Sequence, residues 1–472
     1  MAALGTEPDS VELPVSAEDG LPQDSLRDQL RLVSTREGSS VFFDPTSLAI
    51  LTDGVHESTC SAQARAVLAA LPDVADDCSQ QLPPPPDAAN LTRPRLQRLT
   101  LNISNCCNLA CRYCYAHGGD YAMPQALMSG HRAAELVGEA LRLWDIDALM
   151  FFGGEPSLNP DAIAEACLLV TELHRAGLIA NLPRFAAISN LAGQGETFDA
   201  FLGLCKLLNI HITASIDGPP QVHDANRVDR TGNGSYARVR DNFARARDLG
   251  LSLSIECTYS DQHLAQGISV IELMRFFDQE FGLQQTHIAP VMQQGCKGEK
   301  AAELCAQYCD AIQFTLETLS SGHMLSFSLG QRILLALARR QPIAQYCPAG
   351  QAELTIGPDG MVYPCFMFVG AKEFELGTMD AERWPADKGS KVLCEIEASG
   401  KANHPLCRDC WARGLCSGCI GGDYYATGSL SSKPSCALTR SMAAEAIVRL
   451  AEMGQGKRLG YYGHAHRLRA FQ

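Results

Sequence analysis

Between residues 97 and 291, short apolar runs alternate with amphipathic stretches, the order expected of a sheet covered by helices. Strand-like runs fall at 97–103 (QRLTLNI), 148–152 (ALMFF), 185–189 (FAAIS), 210–216 (IHITASI), 251–257 (LSLSIEC) and 286–291 (THIAPV). Helical stretches lie between them. SGHRAAELVGEALRLW opens on Ser129, whose hydroxyl suits a helix cap, and SYARVRDNFARARDLG ends on Gly250, which suits a helix stop. Six strand–helix units in succession predict a parallel sheet, with ligands gathered at the C-terminal ends of its strands. Upstream, LRLVSTREGSSVFFDPTSLAILTD reads as two or three short strands broken at Gly38, Asp44 and Pro45. SAQARAVLAALPD follows as a helix with Ala64, Val67, Leu68 and Leu71 on one face, then QLPPPPDAANLTRPR as a stiff linker. Residues 1–24, acidic and without periodicity, predict a disordered tail; the basic C-terminus KRLGYYGHAHRLRAFQ predicts a flexible one.

Composition narrows the class. The 472 residues are 46% hydrophobic and 19% charged, with a formal charge of −14, which argues against a nucleic-acid backbone as partner. No apolar run approaches the roughly 18 residues of a membrane span. The N-terminus MAALGTEPDSVELPVSAEDG lacks the basic-then-apolar order of a signal peptide, so a cytoplasmic location is expected. In that compartment 20 cysteines point to metal rather than disulfides.

The cysteines cluster. Cys107, Cys111 and Cys114, in NISNCCNLACRYCYAHGG, bring three thiolates to one compact loop just after the first strand. Three ligands on a [4Fe-4S] cube leave one iron for a small chelating molecule; a partial zinc site with a distant fourth ligand is the other reading. FFGGEP follows the second strand, with Gly153 and Gly154 allowing close backbone approach and Glu155, before Pro156, offering a carboxylate to an ammonium group. Ser189 and Asn190 end strand three, and Ser215 and Asp217 end strand four. The loop HDANRVDRTGNGS carries His223, Asp224, Arg227, Asp229 and Arg230 above the sheet, and Asp229 is the candidate base. A second field holds Cys347 and Cys365 around a PDG turn, then Cys407, Cys410, Cys416, Cys419 and Cys436. Seven thiolates at this spacing predict metal, two structural zincs being as compatible as iron.

The first triad, with Tyr113 before its last cysteine, resembles the CxxxCxΦC signature of radical S-adenosylmethionine (SAM) enzymes, and GGEP resembles their element for the SAM amino group. Ser189, Asn190, Ser215 and Asp217 then match the positions that hold the methionine carboxylate and the ribose. The second field resembles the SPASM extension, which implies two auxiliary [4Fe-4S] clusters: Cys347, Cys365 and Cys419 on the first, and Cys407, Cys410, Cys416 and Cys436 on the second. Two departures stand out. Cys416 and Cys419 are spaced x2 where the family shows x3, and no cysteine near Cys347 completes the first set, leaving an open iron or recruitment of Cys296, Cys305 or Cys309. The resemblance implies an α/β fold, a partial (β/α)6 TIM-like barrel at 96–298. A small α+β winged-helix-like unit at 25–78 precedes it across a linker at 79–95; a bridging helical region at 299–346, the SPASM extension at 347–440 and a helix with basic tail at 441–472 follow.

Family members reductively cleave SAM to a 5′-deoxyadenosyl radical. GGDY after the triad and YPCFMFVGAKEFELG resemble thioether-forming maturases, such as that of quinohemoprotein amine dehydrogenase. The implied activity is post-translational modification joining a Cys sulfur to an acceptor carbon, with sulfatase-type oxidation or carbon–carbon crosslinking as alternatives; from the residues alone, a zinc-stapled binding protein without redox chemistry is the reading from another class. The implied partners are a Cys-containing precursor peptide or small protein subunit and an electron donor such as flavodoxin or ferredoxin. The unit at 25–78 is either a leader-binding element or a plain appendage.

Overall fold

A computed structural model describes residues 31–36, 39–52, 93–291, 299–382, 384 and 387–468. The expected acidic tail, the helix at 61–73, most of the Pro-rich linker, Cys60, Cys78 and Cys296 lie outside the described residues.

Three antiparallel strands come first: β1 (Arg31–Arg36), β2 (Ser39–Asp44) and β3 (Ala49–Thr52). The barrel strands follow: β4 (Arg98–Ser104), β5 (Ala148–Gly153), β6 (Arg184–Ser189), β7 (His211–Ser215), β8 (Leu253–Tyr259) and β9 (Gln285–Pro290). All six pair in parallel with their neighbours in chain order. They sit within two residues of the positions the apolar runs predict.

The helices begin where the sequence punctuates them. Helix α1 (Gly130–Leu143) starts at Ser129, whose hydroxyl accepts from the Arg132 amide. Helices α2 (Pro160–Arg175) and α3 (Gly195–Leu207) follow β5 and β6. Helix α4 (Pro220–Asn226) is short; α5 (Tyr236–Asp248) is followed by Gly250 at φ +74°, and α6 (Val270–Phe281) ends on Gly282 at φ +71°. The outward faces of the strands are sealed under these helices, with Leu99, Leu101, Phe151, Ala187, Ile212, Ile255 and Ile288 at 0–1% exposure only.

The two edges of the sheet carry the functional extension. Helix α7 (Glu299–Ser320) leads to a two-residue strand, β10 (Ser326–Phe327), beside β9, and then to α8 (Ser328–Arg339). At the opposite edge β11 (Glu353–Ile356) pairs in parallel with β4, and a turn at Gly360 returns the chain as β12 (Met361–Tyr363) beside β13 (Gly377–Thr378). The cysteine-rich segment is thus sewn into the barrel sheet. It continues through α9 (Ile420–Thr427) and α10 (Cys436–Glu452).

The small N-terminal sheet packs on this extension. The Phe43 ring meets Trp411 at 6.3 Å, edge to face, and Leu48 lies against Gly414. The basic C-terminus departs from expectation. Residues Gln455–Ala465 form a helix, α11, in which the fully buried Tyr461 donates to the Leu334 carbonyl at 2.6 Å. Its aromatic residues are core material, which the surrounding Lys, Arg and His obscured. Among the described residues no helix is long and apolar enough to cross a membrane.

Candidate functional site

The loop after β4 carries Cys107, Cys111 and Cys114, each partly exposed. It is held from two sides through its backbone. The Cys106 carbonyl accepts from the Glu155 amide at 2.8 Å, and the Ser104 carbonyl accepts from the Gly154 amide at 2.7 Å. From the other side, the Ala110 and Arg112 amides donate to the Val228 and Asn226 carbonyls at 2.8 and 3.0 Å, and Arg230 Nε donates to the Cys107 carbonyl at 3.0 Å. Gly154 and Gly119 meet where neither tolerates a methyl: a Cβ on Gly119 would lie 2.7 Å from the Gly154 Cα. That contact explains the glycines of GGEP and GGDY together.

Two of the triad thiols, Cys107 and Cys111, are shifted upward. Burial, then Glu155, pushes Cys107 up to about 12; burial pushes Cys111 up to about 11, against the pull of Arg227. Ionised together here, they need a polycation. Among the described residues no three His, Cys, Asp or Glu side chains form a group that could hold a single metal ion. Three thiols on one short loop suit a cube, whose thiolates attach to separate irons and leave one iron for a chelating ligand. Beside Gly153 the buried Asn102 amide has no hydrogen-bond partner, a polar group left for a ligand.

The GGEP carboxylate corrects one expectation. Glu155 is 1% exposed, and it accepts from the Ser157 amide at 2.9 Å, the Ser189 hydroxyl at 2.7 Å and the Asn190 amide at 2.7 Å. Burial raises its pKa, and these donors oppose the rise. Its lone pairs are engaged inside the fold, so the side chain is a strut between β5 and β6. Asn190 also donates to Asn108 at 2.8 Å, tying β6 to the cysteine loop.

Asp217, 0% exposed beyond β7, is the hub of the fourth strand end. The Tyr113 hydroxyl donates to its Oδ2 at 2.6 Å, the Thr258 amide reaches Oδ1 at 3.2 Å, and Arg227 Nε lies 3.0 Å from Oδ1. Arg227 also sits over the Tyr113 ring, 5.4 Å from its centre. Ser215 donates to Glu256 at 3.1 Å, and burial raises the Glu256 pKa. Arg227 and Glu256 were not marked as site residues. A lone acid within the apolar run LSLSIECTY was the available signal for Glu256.

Asp229 needs a second correction. Its Oδ1 accepts from the Thr231 amide and hydroxyl at 2.9 and 2.7 Å and from the Asn233 amide at 2.9 Å, which holds its pKa down to about 2. A carboxylate spent on its own turn is a poor base. It fixes the loop that clamps the cysteines.

His223 reports on the same network. Its Nδ1 accepts from the Asp217 amide at 3.3 Å and Nε2 faces Ser235 Oγ at 3.0 Å, so both nitrogens are committed in the neutral ring. Burial lowers its pKa from 6.5 to about 4. A depressed base contributes stability fully present above pH 6.5 and lost as pH falls through about 4. Denaturant midpoints should fall over that window, and the fall should flatten in His223→Gln; an unchanged pH profile in the variant would refute this.

The barrel interior is open. Phe152, Ala186, Ile188, His211, Thr213, Ser254, Glu256, Thr258 and His287 face inward and remain partly solvent-exposed, whereas their outward neighbours are sealed. A closed eight-stranded barrel fills this space with side chains. Here these inward positions of β5–β9 stay partly exposed, whereas Thr100 and Asn102 of β4 are buried.

The second cysteine field divides in two. Cys365 and Cys419 each feel Cys347. Cys416 feels Cys436, Cys410 and Cys407. The SPASM resemblance implies these same two sets. Cys305 and Cys309 lie elsewhere, beside Ser441 and Glu445 of α10. Tyr115 lies between the first triad and the first auxiliary set, influenced by both Cys114 and Cys365. The Phe152 and Phe366 rings meet at 4.7 Å across the same gap.

Residues 101–260 match the radical SAM superfamily model, and 347–411 the SPASM iron-sulfur cluster-binding domain. A "Cysteine-type anaerobic sulfatase-maturating enzyme" of Clostridium perfringens is 24% identical over 342 residues, covering 69% of this chain and 88% of the relative. The structure of anSMEcpe with bound AdoMet superposes with a TM-score of 0.62 at 18% identity, over 75% of this chain and 98% of the other. That of Streptococcus suis SuiB bound to precursor peptide SuiA gives 0.50 at 13% identity, over 84% and 95%. With its cysteine loop, GGEP strand end and extension built into one sheet, the chain is a radical SAM enzyme bearing a SPASM domain, with a SAM-binding [4Fe-4S] cluster and auxiliary iron–sulfur clusters.

Proposed function

We propose that this enzyme modifies a peptide or small protein at cysteine, forming intramolecular thioether bonds between the sulfur and an acceptor-residue carbon. The observation that carries the reading is a triad at the strand ends with a three-thiol auxiliary set one aromatic layer away, beside inward strand positions that stay partly exposed. Bound together, the reduced cluster and SAM supply hydrogen-atom abstraction from an unactivated carbon.

The chain's own residues do the rest. Cys107, Cys111 and Cys114 hold the first cluster. The backbone of Gly153–Pro156 receives the SAM amino group. Asn190 and Ser215 would orient its carboxylate and ribose ends, with Ser189 bonded to Glu155 and Asp217 to Tyr113 positioning them from beneath. Glu155 and Arg227 position these groups from beneath. The walls of the barrel interior admit an extended chain and hold one carbon against the reactive end of the cofactor, excluding bulk water. Cys347, Cys365 and Cys419 would hold the first auxiliary cluster, whose iron would be soft enough to favour sulfur ligands. Cys407, Cys410, Cys416 and Cys436 would hold the second auxiliary cluster, which would supply one-electron redox capacity beside the site. A protein electron carrier of the flavodoxin or ferredoxin kind serves as donor.

The relatives named for sulfatase maturation favour a second reading, oxidation of the cysteine itself. Both anSMEcpe and SuiB have been solved with peptides bound, which supports a peptide in the barrel interior here. Anaerobically reconstituted enzyme, given reductant, SAM and a co-encoded Cys-containing precursor, should remove the mass of two hydrogens per crosslink and protect that cysteine from alkylation. A mass change from sulfur loss would select sulfatase-type oxidation. An alkylatable cysteine with a carbon–carbon link in tandem mass spectra would sink the thioether assignment.

A further inference from the structure

Lys401 is buried, 4% exposed, in the loop ahead of Cys407. Its ammonium donates to the Cys416 carbonyl at 2.7 Å and the Arg413 carbonyl at 2.9 Å. Two carbonyls solvate an ammonium but do not neutralise it. No carboxylate among the described residues pairs with it, in contrast to Lys433, which lies 3.7 Å from Asp423 Oδ2. The groups that favour its charge are the thiols of Cys416, Cys407 and Cys410. Burial, and after it the Arg413 charge, pull the Lys401 pKa down, to about 8, and these thiols oppose the fall.

A buried, uncompensated cation costs several kcal/mol unless an anion shares its site. Four thiolates around an iron–sulfur cube make such an anion, and reduction by one electron makes it more negative. We propose that Lys401 is the fixed counter-cation of the second auxiliary site, raising that site's reduction potential and so its readiness to take the electron released from substrate. The inference rests on the reading of Cys407, Cys410, Cys416 and Cys436 as one cluster's ligands. No bond is made or broken: one electron arrives and the lysine charge stays in place.

The test uses the reconstituted full chain, with iron and sulfide counted first and midpoint potentials then followed by EPR-monitored titration. A wild type with no iron beyond the first triad would overturn the cluster reading before any potential is measured. In Lys401→Gln and Lys401→Met one midpoint should fall by at least a tenfold change in the one-electron equilibrium, about 59 mV. The other midpoints should hold, and Lys401→Arg should stay at the wild-type value. Retained iron with no midpoint moved would overturn the proposal. So would an equal fall in Lys401→Arg, since that marks a packing role. Should Lys401→Gln shed one cluster's iron, retention in Lys401→Arg supports charge compensation, and loss in both refutes it.

Discussion

Cys114→Ala is expected to abolish SAM cleavage while leaving the chain folded. Removing one of three thiolates leaves the first cube with two corners held, too few to keep it on the loop, so the reconstituted protein should lose about four irons. The fold should survive because the loop's anchors are backbone hydrogen bonds to Glu155, Val228 and Asn226, none of which involves a thiol. Iron analysis, the visible spectrum and chromatographic assay of methionine release should change together, with circular dichroism unaltered. Cys205→Ala is the control: that thiol is buried in α3 and feels none of the triad cysteines. Full SAM cleavage by Cys114→Ala would refute the assignment of this triad as the radical-generating centre.

The second large effect is expected at Asp217. Its side chain is 0% exposed and that of Arg227 8%, and their charges meet at 3.0 Å. Asp217→Ala strands the guanidinium in the interior, and breaking a buried pair from one side costs about 3–5 kcal/mol. It also removes the acceptor of Tyr113 and of the Thr258 amide. The metal-free protein should unfold at markedly lower urea, and the cysteine loop, tethered by Tyr113, should bind SAM more weakly. Asp217→Leu combined with Arg227→Met should recover most of the stability without the affinity, because the uncompensated charge is gone while the polar contacts stay lost. A single variant within about 1 kcal/mol of wild type would mean that the pair is solvated and not structural.

The barrel strands were legible because each pairs with its nearest neighbour in the chain, so local apolar runs and turn residues suffice to mark them. The triad and GGEP were legible for a related reason: each is a short contiguous segment at a strand end. Glu155 shows where that stops. Its sequence context advertised a carboxylate for a ligand, but three donors from β6 and its own loop turn it inward. Asp229 fails likewise, because Thr231 and Asn233, two and four residues on, capture it. Arg227 and Glu256 matter through partners in other strands, which no local window contains.

The amino-acid sequence alone determined the chemistry class, since cysteine spacing sets how many thiolates one loop can deliver and glycine positions set where backbone can approach. It also determined the order and handedness of the central sheet, since alternating strand and helix periods admit little else. Tertiary structure alone decided the rest. It sewed β11 onto β4, docked the N-terminal sheet against Trp411, packed Tyr461 into the core and left the barrel interior open. Each depends on groups far apart in the chain competing for the same buried surface, and the fold resolves that competition only when every contact forms together.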